Sequence, residues 1–150
     1  MRAKKKVLLL GPAHPYRGGI ADTQNYLAQN ISRLGHEVLV FTFKYQYPKL
    51  FFPGKTQYSS ISAPKGINIK RKVHSINPLN WINTSNEINQ YDPDIVLFRY
   101  WTPFLAPCWN WISKRLSSNI KKIAVVDNWI PHERKPWDYI LNDLFGKRMD

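Results

Sequence analysis

A chain of 150 residues is long enough for one domain with its own hydrophobic core and short for two. Apolar residues at 43% against 21% charged exclude a disordered composition, and a single cysteine, Cys108, excludes an internal disulfide or a cysteine zinc site. A net charge of +12 implies an anionic partner (nucleic acid, phospholipid headgroups and phosphorylated sugars all qualify) or a solvated basic face with none.

The first element is a short strand over Lys5–Leu10, continuously apolar after its lysines, of the kind found in parallel sheets covered on both faces. Its basic lead-in mimics a signal peptide, but Gly11-Pro-Ala-His-Pro15 stops the apolar run too early. No segment reaches the roughly 20 apolar residues that span a bilayer. With Cys108 read as a buried small hydrophobe, the expected location is the cytoplasm. A glycine loop over 11–19 leads into a helix over Ile20–Leu34. Leu27, Ile31 and Leu34 fall on its inward face with Ile20 and Tyr26 nearby, and Gly35 ends it in a left-handed conformation.

His36–Phe43 reads as a second strand. Lys44–Ala63, broken by Pro48, Pro53 and Gly54, reads as a long excursion. Ile67–Val73 is a third strand. Pro78–Tyr91 is a helix with Trp81, Ile82 and Ile88 inward, weakened by its asparagines. Asp92–Phe98 is a fourth strand. Thr102 then caps a helix that has Pro103 at its first position and runs to Ser117. A fifth strand over Lys121–Val126, an exit loop over Asp127–Glu133 and a helix over Trp137–Phe145 complete the pattern. The alternation predicts an α/β, Rossmann-like doubly wound parallel sheet. The chain is expected to be one such lobe, truncated before its last strand.

Two loops carry the candidate chemistry. At His14-Pro-Tyr-Arg-Gly-Gly-Ile-Ala21, paired glycines at a helix start bring backbone amides close to an anionic ligand, with Arg17 at the rim. Gly18 and Gly19 equally suit a tight turn. The spacing lacks the G-x-G-x-x-G and G-K-[ST] patterns, which disfavours a nicotinamide enzyme or an ATPase. The second loop brings Asp127, Asn128, Trp129, His132 and Glu133 to the carboxyl end of a strand. His132 and Asp127 are the catalytic candidates, and the alternative is that His132 and Glu133 brace the next helix. Asp92-x-Asp94 precedes its strand, so capping explains it better than metal binding, and no histidine shows metal-ligand spacing. Asn110-Trp111 with Lys114-Arg115, together with the Lys44–Lys55 loop, could lie against an anionic membrane or pack half-buried.

His14-Pro-Tyr-Arg-Gly-Gly-Ile-Ala-Asp-Thr, followed by Leu34-Gly-His-Glu-Val38, resembles the opening of GT4-type glycosyltransferases. Tyr91-Asp-Pro-Asp-Ile-Val96 is similar to the family's fourth-strand entry, and Val125–Glu133 resembles a V-H-N-x-x-P-H-E segment of a bacterial subgroup. The resemblance covers nearly the whole chain. It implies the N-terminal, mainly acceptor-side lobe of a retaining GT-B enzyme, with the donor-binding C-terminal lobe absent here. It places Gly18 and Gly19 near the donor diphosphate or transferred sugar, and Asn128, His132 and Glu133 on the cleft. The implied partners are a nucleotide sugar, a glycan or lipid-linked acceptor, and the protein's own second lobe or a complementary subunit. No prosthetic group and no D-x-D-bound metal are expected, and no specific nucleic acid. Envelope polysaccharide assembly at the inner face of the cytoplasmic membrane is the implied setting, and the 150-residue chain alone is expected to be inactive. Asp127 stands where the subgroup often has histidine, and Arg99-Tyr-Trp101 lacks the histidine many relatives carry. The alternative is a non-catalytic binding or scaffold module with a basic surface for anionic membrane or nucleic acid.

Overall fold

A computed structural model describes residues 3–48 and 57–150. Five strands, β1 (Lys6–Leu10), β2 (Glu37–Tyr45), β3 (Asn68–His74), β4 (Ile95–Tyr100) and β5 (Lys121–Val126), form one sheet in the order β3-β2-β1-β4-β5. Every pairing is parallel. Four helices connect or follow them: α1 (Gly19–Arg33), α2 (Pro78–Tyr91), α3 (Ala106–Arg115) and α4 (Asp138–Gly146). The fold is the Rossmann-like doubly wound α/β sheet that the alternation predicts. The part of the 44–63 excursion over residues 49–56 lies outside the described residues.

Alternation along the apolar strands builds two cores. Leu8, Leu10, Phe41, Phe43, Phe98 and Tyr100 face Trp109 of α3 and Phe145 of α4. Val7, Leu9 and Val40 point the other way, against Ala28, Leu27 and Ile31 of α1. The α1 face differs from expectation at two positions. Leu34 and Tyr26 are 76% and 64% exposed, because small residues, Ala21 and Ala28, with Gln24 between them form the face that lies against the sheet. Leu34 already sits in the cap, and Gly35 follows at φ 90°, the left-handed position that ends the helix.

The asparagines of α2 support it rather than weaken it. Asn77 caps the helix by accepting from the Leu79 and Asn80 amides, Asn80 binds the β3 backbone, and Asn83 and Asn86 face solvent. Ile82 is only half-buried, and Thr84 and Ser85 take the inward positions beside Trp81 and Ile88. The fourth strand starts later than expected. Asp92 ends α2 in a left-handed conformation at φ 51°, and Asp94 accepts from Lys6 N (2.7 Å) and Lys5 Nζ (2.8 Å), tying the start of β4 to β1. Thr102 caps a short 3-10 turn, Pro103–Leu105, that opens into α3, which stops at Arg115 because Leu116 turns extended. Cys108 is buried, and burial pushes its thiol well above the usual range.

Candidate functional site

Chain order reverses between β1 and β4, the point at whose strand carboxyl ends open parallel sheets take ligands. Arg99 of β4 is 7% exposed there. Its Nε and Nη2 donate to the two carboxylate oxygens of Asp127, and Nη2 also donates to Thr23 Oγ1 at 2.9 Å. The Thr23 hydroxyl donates in turn to the Gly19 carbonyl at 2.7 Å. A charge-assisted chain therefore runs from the β5 exit loop through β4 to the first turn of α1. Sheet register explains it. Arg99 pairs with Val125, so Asp127, two residues on, returns to the same side. A Cβ on Gly11 would meet Arg99 Cβ at 2.5 Å, so glycine is required there for the arginine to pass.

Gly18 is the α1 N-cap with φ 114° and ψ 164°, a conformation essentially reserved for glycine. Nothing lies within 4 Å of a Cβ built on Gly18 or Gly19. The helix start is thus open to solvent, with its first amides uncapped by any side chain. Arg17 is exposed beside it, its backbone amide donating to Gln57 O at 3.0 Å.

The other candidates divide. Glu133 lines a cleft of about 620 Å³ that opens beyond β3 and β4, between α2, α3 and the β5–α4 loop. Tyr47, Ile76, Trp81, Phe104, Trp137 and Leu141 give the cleft largely apolar walls, and Glu133 and Lys135 supply opposite charges. Ser75, 3% exposed, also lines it, with its buried hydroxyl lacking a hydrogen-bond partner among the described residues, and Tyr47 OH accepts from Trp101 Nε1. Burial raises the Tyr47 phenol above its ordinary value, so it stays a neutral donor and acceptor. Trp129, 37% exposed, is anchored on the fold. It packs on Tyr100 with ring centroids 5.5 Å apart, and its carbonyl accepts from Asn142. His132 is exposed, Asn128 half-buried, and neither lines the cleft. The structure therefore links Asp127 to the glycine loop through Arg99 and Thr23, and places Glu133 on the cleft. The contacts of Arg99, Thr23, Ser75 and Tyr47 were missed by sequence reasoning, because they form between elements distant in sequence.

Trp111 is half exposed but rests on Trp81, with centroids 6.3 Å apart, and Arg115 donates to Ser85 Oγ at 3.3 Å. Among the described residues no group of three or more His, Cys, Asp and Glu converges to hold a metal ion. No described helix is long and apolar enough to cross a membrane.

The model of Glycosyltransferase Family 4 matches residues 17–148, from the glycine loop to the end of α4. The chain belongs to this family. No curated protein matches the sequence. Among solved structures, an alpha-glucosyltransferase in complex with UDP-glucose and DNA containing an abasic site matches with a TM-score of 0.59 at 13% identity, over 99% of this chain and 35% of that one. An alpha-glucosyltransferase in complex with UDP and a 13-mer DNA containing a central A:G mismatch matches with a TM-score of 0.58 at 13% identity, over 99% and 37%. A complex with UDP alone matches with a TM-score of 0.54 at 14% identity, over 97% and 34%. The family 4 chain spans about a third of the length of these structures and shares their fold.

Proposed function

We propose that this chain is the N-terminal, acceptor-side lobe of a glycosyltransferase that uses a nucleotide-sugar donor, with a second lobe or subunit supplying most donor contacts. Family 4 membership supports sugar transfer, and the UDP and UDP-glucose of the structural neighbours make a UDP-sugar the first donor to test. The observation that carries the acceptor assignment is the cleft of about 620 Å³, with largely apolar walls and the exposed Glu133 carboxylate on its lining.

In this reading the acceptor lies in the cleft, and the open α1 start at Gly18 and Gly19, with Arg17 beside it, faces the donor diphosphate. The acceptor oxygen bonds to the anomeric carbon as the bond from that carbon to the diphosphate oxygen breaks, and the acceptor proton leaves. Negative charge grows on the leaving diphosphate, and uncapped amides at a helix start are suited to it. Glu133 would accept a hydrogen bond from an acceptor hydroxyl. His132 and Asp127 remain the candidates for handling the proton. Asp127 is committed to Arg99 in the structure, which favours a positioning role for it. Retention of configuration belongs to the same reading, and no resident metal or prosthetic group does.

Ile76, Leu79, Trp137 and Ile140 are exposed around or beside the cleft, and the chain carries +12. These features support a lipid-linked acceptor presented at an anionic leaflet, and with it a place in cell-envelope polysaccharide synthesis. The test is transfer by the full-length protein from a panel of UDP-sugars to membrane extract, to soluble glycans and to duplex DNA. Radiolabel in the lipid fraction is expected. Label in soluble glycan or DNA alone would overturn the lipid assignment, and no transfer with any nucleotide sugar would favour a non-catalytic scaffold.

A further inference from the structure

A second concavity, of about 210 Å³, lies beside the first turns of α1 and is assigned no role by the transferase reading. Its lining includes His14, Asp22, Asn25, Tyr26, Gln29 and Ser59. We propose that it binds a neutral saccharide unit.

Spare hydrogen-bonding capacity is the first argument. Asn25 Oδ1 accepts from His14 N at 3.3 Å, which leaves its amide hydrogens to donate. Gln29 Nε2 donates to Lys65 O at 3.1 Å, which leaves its carbonyl to accept. Ser59 Oγ accepts from Ile61 N at 3.0 Å and keeps its own proton free. The Asp22 carboxylate has no ion-pair or hydrogen-bond partner among the described residues. Adjacent donors and acceptors of this kind match vicinal hydroxyls, each of which both gives and takes a proton.

Charge selects among polar ligands. No lysine or arginine among the described residues lines the pocket, although the chain carries 22 of them. The single carboxylate disfavours phosphate, nucleotide or uronate, and accepts from the hydroxyls of a neutral polyol. Tyr26, 64% exposed, offers an aromatic face of the sort on which the apolar C–H side of a sugar ring rests.

The pocket is also pre-formed. The 57–65 segment is fastened to the glycine loop by Arg17 N to Gln57 O at 3.0 Å and Ser59 N to Pro15 O at 2.7 Å. His14 Nε2 meets Ile61 O at 3.0 Å, and the Gln29 bond secures the far end. Little ordering remains to oppose binding. The volume holds one sugar ring and not a nucleotide sugar.

The test is ligand-detected NMR on the 150-residue chain with methyl glycosides of glucose, galactose, mannose and N-acetylglucosamine, their disaccharides, and glucose 1-phosphate. A saturable signal from at least one neutral glycoside is expected. Tyr26→Ala and Asp22→Asn should each weaken it by about tenfold, the ratio for losing one good contact, with the melting curve unchanged. Absence of saturable binding by every neutral probe, tighter binding of glucose 1-phosphate, or equal binding by both variants would each overturn the proposal. If the free chain does not fold, the same series on the full-length protein distinguishes the same outcomes. The readout is binding, so it succeeds or fails separately from sugar transfer.

Discussion

At the scale of single residues, the Arg99–Asp127 pair is the strongest electrostatic contact of the candidate site. Asp127→Ala leaves a guanidinium that is 7% exposed with only Thr23 as a side-chain partner. The Asp127 side chain keeps 26% of its surface in solvent, so the expected loss is about 2 kcal/mol, below the roughly 3–5 kcal/mol of a fully buried pair. Urea unfolding measures it, and an unchanged midpoint would show the pair to be idle. Asp94 gives a pH signature. Lys5 and the Lys6 amide hold its carboxyl below the ordinary 3.8, so its contribution is present above that value and is lost as pH falls through the lowered one. Asp94→Asn should therefore melt lower than the parent at pH 7, with the gap closing from pH 3.8 downward and gone once pH is below the lowered value. Equal gaps at both pH values would contradict this. Asp127 was visible in the sequence as a carboxylate in a loop. Its partner was not, because Arg99 sits inside an apolar strand and meets Asp127 only through β4–β5 register.

At the scale of elements, the two loop glycines separate folding from binding. Gly18→Ala should cost about 1–3 kcal/mol, since only glycine tolerates φ 114° with ψ 164°. Gly19 has a helical backbone and open space where a Cβ would go, so Gly19→Ala should leave stability unchanged or raise it by about 0.4–1 kcal/mol. In the proposed enzyme the same substitution should still depress transfer, by crowding the donor. Thermal melts and initial rates on one preparation distinguish the effects, and full activity would return Gly19 to a turn-forming role. Most elements were legible because their patterns are strong. β5 has the expected bounds, and Gly35 ends α1 as its position suggested. The departures have physical causes. Propensity counts against asparagine in α2, but Asn77, Asn80 and Asn89 spend their amides on a cap, on β3 and on the end of α3. In α1, Tyr26 and Leu34 are not inward, because close packing on the sheet selects Ala21 and Ala28, with Leu27 and Ile31 at their flank.

At the scale of the whole molecule, the cleft is assembled from stretches far apart in sequence: Tyr47 after β2, Ser75 and Ile76 after β3, Thr102–Phe104 after β4, and Pro131–Leu141 after β5. Parallel topology brings all four strand ends to one edge, which the sheet order makes clear and no local motif announces. Only Glu133 of the cleft was singled out from sequence. The central claim is that this edge receives the acceptor while another lobe holds most of the donor. Steady-state kinetics of the full-length protein with Trp137→Ala and Glu133→Gln tests it directly, since both side chains are exposed and line the cleft without building the core. The account predicts an acceptor KM raised by about tenfold with the donor KM within about twofold of the parent. A raised donor KM with an unchanged acceptor KM would contradict it.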